Sequence, residues 1–213
     1  MVHPRIGRAA KGEGSDADAA AKLDVVSTTI YLIRHGEADE SAGDDPGLTE
    51  RGRDQAHAVG RRVKDLGFDD VVHSSRRRAR ETASIVGLAT GGPAPRHSEH
   101  ADDRTPFPSD LALVPEGRRA WFESVPDDER DEDGRDLDLA IAGLGRLEAG
   151  DRRVLVVTHN FVIGWFVRDA MGAPPLSWMG LNSANGGLTI VRYEIDRQPR
   201  LIAFNDTGHL PAL

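Results

Sequence analysis

The spacing of apolar positions changes repeatedly along the chain, and each change marks an element. The segment from Val25 through Ile33 predicts a first strand, densest at Ile30, Tyr31, Leu32 and Ile33. The stretch "LTERGRDQAHAVGRRVKDLG" then places apolar residues at Ala56, Val59, Val63 and Leu66. That 3-4-3 spacing predicts a helix with one buried stripe, with Thr49 as its N-cap and Gly67 as its stop. A short strand, "DVVHSS", is followed by a second helix from about Arg76, with apolar positions Ala79, Ala83, Ile85 and Val86. "GLATGGPAPRHSE" is expected to be a loop leading into a brief extended piece.

Residues 101–136 break the pattern with prolines, acidic runs and the pair Trp121-Phe122. They are expected to be an irregular insertion on the substrate side, and "DDERDEDGRD" a solvated, mobile surface segment. A third helix is predicted over "LDLAIAGLGRLEAG", then the strongest strand, "RRVLVVTHN". The next helix, "FVIGWFVRDAMG", is apolar almost all round and should be buried. "GGLTIVRYEI" and "RLIAFND" read as a terminal hairpin. Strands alternate with helices for most of the length, which predicts a three-layer α/β/α sandwich with a mostly parallel central sheet and an antiparallel edge. The domain is expected over 25–213, behind a flexible lead-in of residues 1–24.

Composition narrows the possibilities. The 213 residues suffice for one good-sized domain, and a formal net charge of −8 argues against a general nucleic-acid binder. With no cysteine there are no disulfides, thiolate nucleophiles or cysteine-held metals. No apolar run approaches the roughly 20 residues of a membrane span, and residues 1–24 lack the apolar core of a secretory signal. A soluble cytoplasmic protein is expected, without a membrane partner; the hairpin edge leaves a homodimer possible.

Three predicted strands end on related chemistry. The first runs straight into Arg34-His35, the second delivers Arg76, Arg77 and Arg78 into the opening turn of a helix, and "VLVVT" ends at His159. Ligands of such sheets sit beyond the carboxyl ends of the strands. Guanidinium forks bind phosphate oxygens bidentately, a helix N-terminus beside Arg78 would add backbone donors, and neutral imidazole attacks phosphorus. Flanking arginines should hold His35 unprotonated.

"LIRHGEAD", "LTERGRDQA", "SSRRRARETA" and "VLVVTHN", in that order, resemble the signature blocks of the histidine phosphatase superfamily, the phosphoglycerate mutase-like enzymes, and in particular their small, broad-specificity phosphatase branch. The resemblance spans about Thr28 to Leu210. It implies that His35 is phosphorylated during turnover and that Arg34, Arg78 and His159 hold the phosphoryl group, with Asn160 a further substrate contact. It also implies an acid that protonates the leaving group: Glu99 is the first candidate in "PRHSEHADD" and Asp102 the second. "NDTGHL", with His209, matches a tail of the phosphatase members and has no physical account at this level.

The expected activity is a metal-independent, histidine acid-type phosphomonoesterase acting on a small phosphorylated metabolite and needing no cofactor. A mutase is the alternative, disfavoured because "ADESAGDDPG" runs quickly into "LTERG" without the longer segment mutases carry there. A non-catalytic phosphate-binding module on the same fold is another. A two-histidine, one-carboxylate metal site at His35, His159 and Glu99 is argued against by the adjacent guanidinium groups.

Overall fold

The computed structural model describes residues 26–210; the expected lead-in, residues 1–24, lies outside them. In chain order the elements are β1 (Ser27–Arg34), α1 (Glu50–Val63), β2 (Asp70–His73), α2 (Arg77–Thr90), β3 (Arg96–His97), β4 (Thr105–Phe107), α3 (Glu116–Glu123), β5 (Arg130–Glu132), α4 (Arg135–Leu144), β6 (Asp151–Thr158), α5 (Asn160–Ala170), β7 (Leu188–Glu194) and β8 (Arg200–Asp206). Six strands form one sheet in the order β3-β2-β6-β1-β7-β8. β3, β2, β6 and β1 are parallel neighbours, whereas β7 and β8 run antiparallel at one side.

The alternation within the central strands builds both faces of the sheet. Ile30 and Leu32 of β1, with Val154 and Val156 of β6, pack with Val162, Ile163 and Phe166 of α5 and Leu137 and Ala140 of α4. Ile33, Leu155 and Val157 point the other way, onto Val59 and Val63 of α1 and Ala79, Ala83 and Val86 of α2. Both strands are therefore covered on both faces, which is why they read as continuous apolar runs. Each fully buried Ile or Leu contributes about 1.5–3 kcal/mol. Thr49 caps α1 by accepting the Gly52 N–H. Among the described residues no helix is long and apolar enough to cross a membrane.

The middle of the chain departs from expectation. Residues 101–136 are not simply irregular: β4 and β5 pair in parallel, and α3 lies between them. The acidic run is not solvated throughout, because Asp131 is 2% exposed. Its two carboxylate oxygens accept the Asp136 and Leu137 N–H groups, both at 2.9 Å, and so cap the start of α4. The third helix also sits earlier than predicted. It begins at Arg135 and ends where the Gly145 N–H bonds the Ile141 carbonyl, leaving "LEAG" outside.

One close approach fixes how β1 meets α1. A Cβ on Gly52 would lie 2.1 Å from the Glu37 carbonyl oxygen, and one on Gly36 would lie 2.3 Å from the Gly52 oxygen. Only bare main chain fits on either side. Gly52→Ala gains about 1 kcal/mol of helix propensity, but the clash is with backbone and has no rotamer to relieve it. We predict a net loss of about 2 kcal/mol in urea unfolding, at unchanged m.

Candidate active site

The site lies at the carboxyl ends of β1, β2 and β6. Parallel pairing sets Arg34 opposite Thr158, and the His35 N–H continues the ladder to the Thr158 carbonyl at 3.0 Å. His35 and His159 are thereby brought side by side, with ring centroids 5.1 Å apart. The antiparallel β7 starts at the same edge, so the turn before it also faces the site: Ser183 accepts from Arg34 Nη1, and Asn185 Nδ2 donates to the His35 carbonyl at 3.0 Å.

His35 is held as one tautomer. Its Nδ1 lies 2.8 Å from the Gly36 carbonyl oxygen, which can only accept, so Nδ1 carries the proton. Nε2 presents its lone pair to the pocket and receives Arg78 Nε–H at 3.2 Å. Arg78 is fixed through Thr82, whose hydroxyl accepts the Gly36 N–H at 3.0 Å and donates to the Arg78 carbonyl at 2.8 Å. One threonine thus ties the first turn of α2 to the loop behind the histidine.

His159 is 2% exposed. Its Nε2 meets Ser74 Oγ at 2.8 Å, while Nδ1 faces Asp103 Oδ2 at 3.1 Å. The same Asp103 oxygen receives Arg78 Nη2 at 2.7 Å. Arg34, His35, Arg78, Asp103, His159, Asn160 and Phe161 line one cavity of about 370 Å³. Arg34 Nε is buried there with no partner among the described residues.

Burial dominates the electrostatics. It pushes His35 down to about 2, with the nearby His159, Arg78 and Arg34 adding to the effect and the Gly36 carbonyl offsetting part. Burial likewise drives His159 well below its ordinary value, helped by Arg78, Arg76 and Arg34. Asp103 is raised by burial, against the pull of Arg78, Arg76 and Arg34. The result is two neutral imidazoles, two guanidinium groups and a carboxyl group disposed to hold a proton, all facing one cavity.

The structure brings together Arg34, His35, Arg78, His159 and Asn160 among the residues singled out in the sequence. It does not bring Glu99. Glu99 opens a short 3₁₀ turn, is exposed, and does not line the cavity. Asp102 faces away as well. Its Oδ1 accepts the Ser75 N–H at 2.6 Å and it meets His97 at 3.2 Å; burial alone would raise it, but these bonds hold it below its ordinary value. The carboxyl group in the cavity belongs to Asp103, which sequence reasoning missed. A signal existed: Ala101 is the one apolar residue in "SEHADDR", it is fully buried, and its carbonyl accepts Thr158 Oγ1 at 2.7 Å. That anchor sends the two aspartates in opposite directions.

The N-terminus of α2 is occupied in part. Asp102 accepts from Ser75 N–H, and Asp45 accepts from Arg77 N–H at 2.8 Å. The start of α5 also faces the cavity: no side chain caps its N-terminus, and Asn160 and Phe161 line the wall. The tail now has a physical account too. His209 Nε2 donates to the Gly186 carbonyl at 2.9 Å and Asn205 Oδ1 accepts the Ala184 N–H at 2.8 Å, so the end of the chain braces the turn that holds Arg34 and Asn185.

A family model described as "Histidine phosphatase superfamily (branch 1)" matches residues 30–207. The chain belongs to that superfamily. The mitochondrial serine/threonine-protein phosphatase PGAM5 of Homo sapiens is 29% identical over 214 residues, spanning 93% of this chain and 71% of its own length. PGAM5 of Mus musculus is 30% identical over 193 residues, spanning 85% of this chain and 64% of its own. Among solved structures, a mycobacterial glucosyl-3-phosphoglycerate phosphatase superposes with a TM-score of 0.64 at 22% identity, over 85% of this chain and 100% of that one. A phosphoserine phosphatase of Entamoeba histolytica gives 0.62 at 21% identity, over 86% and 100%. These two likenesses are of fold, the phosphoglycerate mutase-like one that the sequence blocks imply.

The depressed His35 gives a stability signature. Unfolded, the imidazole takes up a proton near its ordinary value of 6.5; folded, it does not until about 2. Protons bound only by the unfolded chain favour unfolding, so stability is lost as pH falls below about 6.5, by up to about 1.4 kcal/mol per pH unit. Urea midpoints of the wild type and His35→Gln at pH 7, 6 and 5 should therefore converge as the pH drops. Parallel curves would mean that His35 protonates normally in the folded protein.

Proposed function

We propose that this protein is a metal-independent phosphomonoesterase that hydrolyses a small phosphorylated metabolite through a phosphohistidine intermediate. The observation that carries the reading is the orientation of His35. Its proton is committed to Gly36 on one side, and the Nε2 lone pair opens on the cavity beside Arg78, His159 and Asp103. The cavity of about 370 Å³ suits a small ester. The relatives are named as phosphatases of different substrates, which agrees with the reaction class and leaves the substrate to this chain's own walls.

In the proposed reaction the phosphoryl oxygens are gripped by Arg34, whose buried Nε is otherwise unpartnered among the described residues, by Arg78, and by His159. Arg78 gives up its bond to His35 as phosphate enters, freeing Nε2. That nitrogen forms a bond to phosphorus while the bond from phosphorus to the leaving oxygen breaks in line. Asp103 passes its proton to the departing oxygen, which leaves as an alcohol. Its carboxylate then takes a proton from water, whose oxygen attacks the phosphohistidine, releasing inorganic phosphate and restoring both groups. Burial raises Asp103 and lowers His35, the directions that favour the first step.

Hydrolysis of 4-nitrophenyl phosphate in excess EDTA is expected from the wild type and is expected to be lost in His35→Ala, with an acid-labile phosphoprotein trapped only in the wild type. Persistence of turnover without His35 would identify another nucleophile. Asp103→Asn should cost about 10² or more in kcat on an alkyl phosphomonoester, whose alkoxide needs a proton, and far less on the nitrophenyl ester, whose leaving group does not. Glu99→Gln is the discriminating comparison: a selective loss there instead would return the acid's role to Glu99.

A further inference from the structure

Resting on that reading, we propose that Asp128 and Glu129 make the site select phosphomonoesters whose remainder is neutral or cationic. They do so by occupying Arg76, the guanidinium that would otherwise meet a second anionic group on the substrate.

The three consecutive arginines at the start of α2 go three ways. Arg78 turns into the cavity, and Arg77 pairs with Glu81 at 2.7 Å along the helix. Arg76 is half-buried, with its Nη2 at 2.9 Å from Glu129 Oε1 and 3.6 Å from Asp128 Oδ2. Both partners come from the acidic run before β5. The Arg76 N–H donates at 3.2 Å to Ser74 Oγ, the hydroxyl that meets His159, and the Glu129 carbonyl accepts the N–H of Thr105, two residues beyond Asp103, at 2.7 Å. Arg76 also acts on Asp103 and His159 through its charge. This group therefore borders the Asp103 side of the cavity, where the leaving group departs when Asp103 protonates it. A free guanidinium in that place would bind a carboxylate or a second phosphate. Two carboxylates already hold it.

The opposite rim adds no cation to spare. Glu40 lines the cavity, bears on Arg34 through its charge, and makes no ion pair among the described residues. Glu37 shares Arg51 at 3.7 Å. Among the residues lining the cavity, two guanidinium groups (Arg34 and Arg78) thus meet three carboxyl groups (Glu37, Glu40 and Asp103) before any phosphate enters. A second anion would sit in that field partly desolvated, where screening is weak and like charges are costly. A cationic remainder would face Glu40 and the ring of Phe161 on the cavity wall.

Three phosphomonoesters separate the outcomes: 4-nitrophenyl phosphate with a neutral remainder, phosphocholine with a cationic one and 3-phosphoglycerate with an anionic one. Calorimetric titration of the full chain carrying His35→Ala, which binds without turnover, should rank 3-phosphoglycerate last. In the otherwise wild-type enzyme, Asp128→Asn/Glu129→Gln should raise kcat/KM for 3-phosphoglycerate relative to 4-nitrophenyl phosphate by about tenfold, through KM. Adding Arg76→Gln should abolish that gain, and Glu129→Gln alone should give part of it if the double variant folds poorly. Binding of all three esters without charge preference, an unchanged ratio, or a gain that survives loss of Arg76 would each overturn this inference and leave the phosphatase reading standing. Binding of none would overturn both.

Discussion

The parallel pairing of β1 with β6 is the constraint on which the site depends. Eight residue pairs in register, from Ser27 with Asp151 to Arg34 with Thr158, deliver two loops from one edge of the sheet at the same height. A one-residue slip would turn Ile30, Leu32 and Ile33 to the wrong faces, so the apolar pattern that builds the core also fixes the placement of His35 and His159. Polar bonds then orient the groups at that edge: Thr82 and Asp103 for Arg78, Ser74 and Asp103 for His159, and Asn185 for the His35 carbonyl. Packing sets the coarse geometry, and hydrogen bonds set the orientation of each reacting atom.

Burial and charge pull against one another in the cavity. Guanidinium groups favour ionised Asp103, and burial favours its neutral form; burial prevails. For the two histidines both influences act in the same direction, toward the uncharged ring. The neutral ring is the form the proposed attack uses, so that proposal needs no separate general base to free Nε2.

Much of this was legible in the sequence, for identifiable reasons. Strand ends are readable because an apolar run stops abruptly, and Arg34, His35, Arg78 and His159 all follow such stops or open the next helix. The single stripe of α1 was readable from Ala56, Val59 and Val63. The cavity's carboxyl group was not, because "HADD" spans the end of a short 3₁₀ turn where direction changes with each residue, and the burial of Ala101 accompanies the inward turn of Asp103 rather than Glu99 or Asp102. The insertion was illegible for a related cause. Strands of three residues carry no period, and a buried aspartate such as Asp131 looks in sequence like any other member of an acidic run.

The anchoring of that insertion has an evolutionary consequence. It is fastened at Ala101, against β6, and at Asp131, against α4, and neither anchor is a reacting group. Between the two, chain length and composition are free to drift at little entropic cost, since closing a longer loop adds only about 0.6 kcal/mol per doubling. On the proposed function, selectivity can then be rewritten by insertion, deletion or charge reversal in this segment while the sheet keeps the arrangement of Arg34, His35 and His159 constant. A lineage built on such a frame can diversify in substrate without reinventing its chemistry.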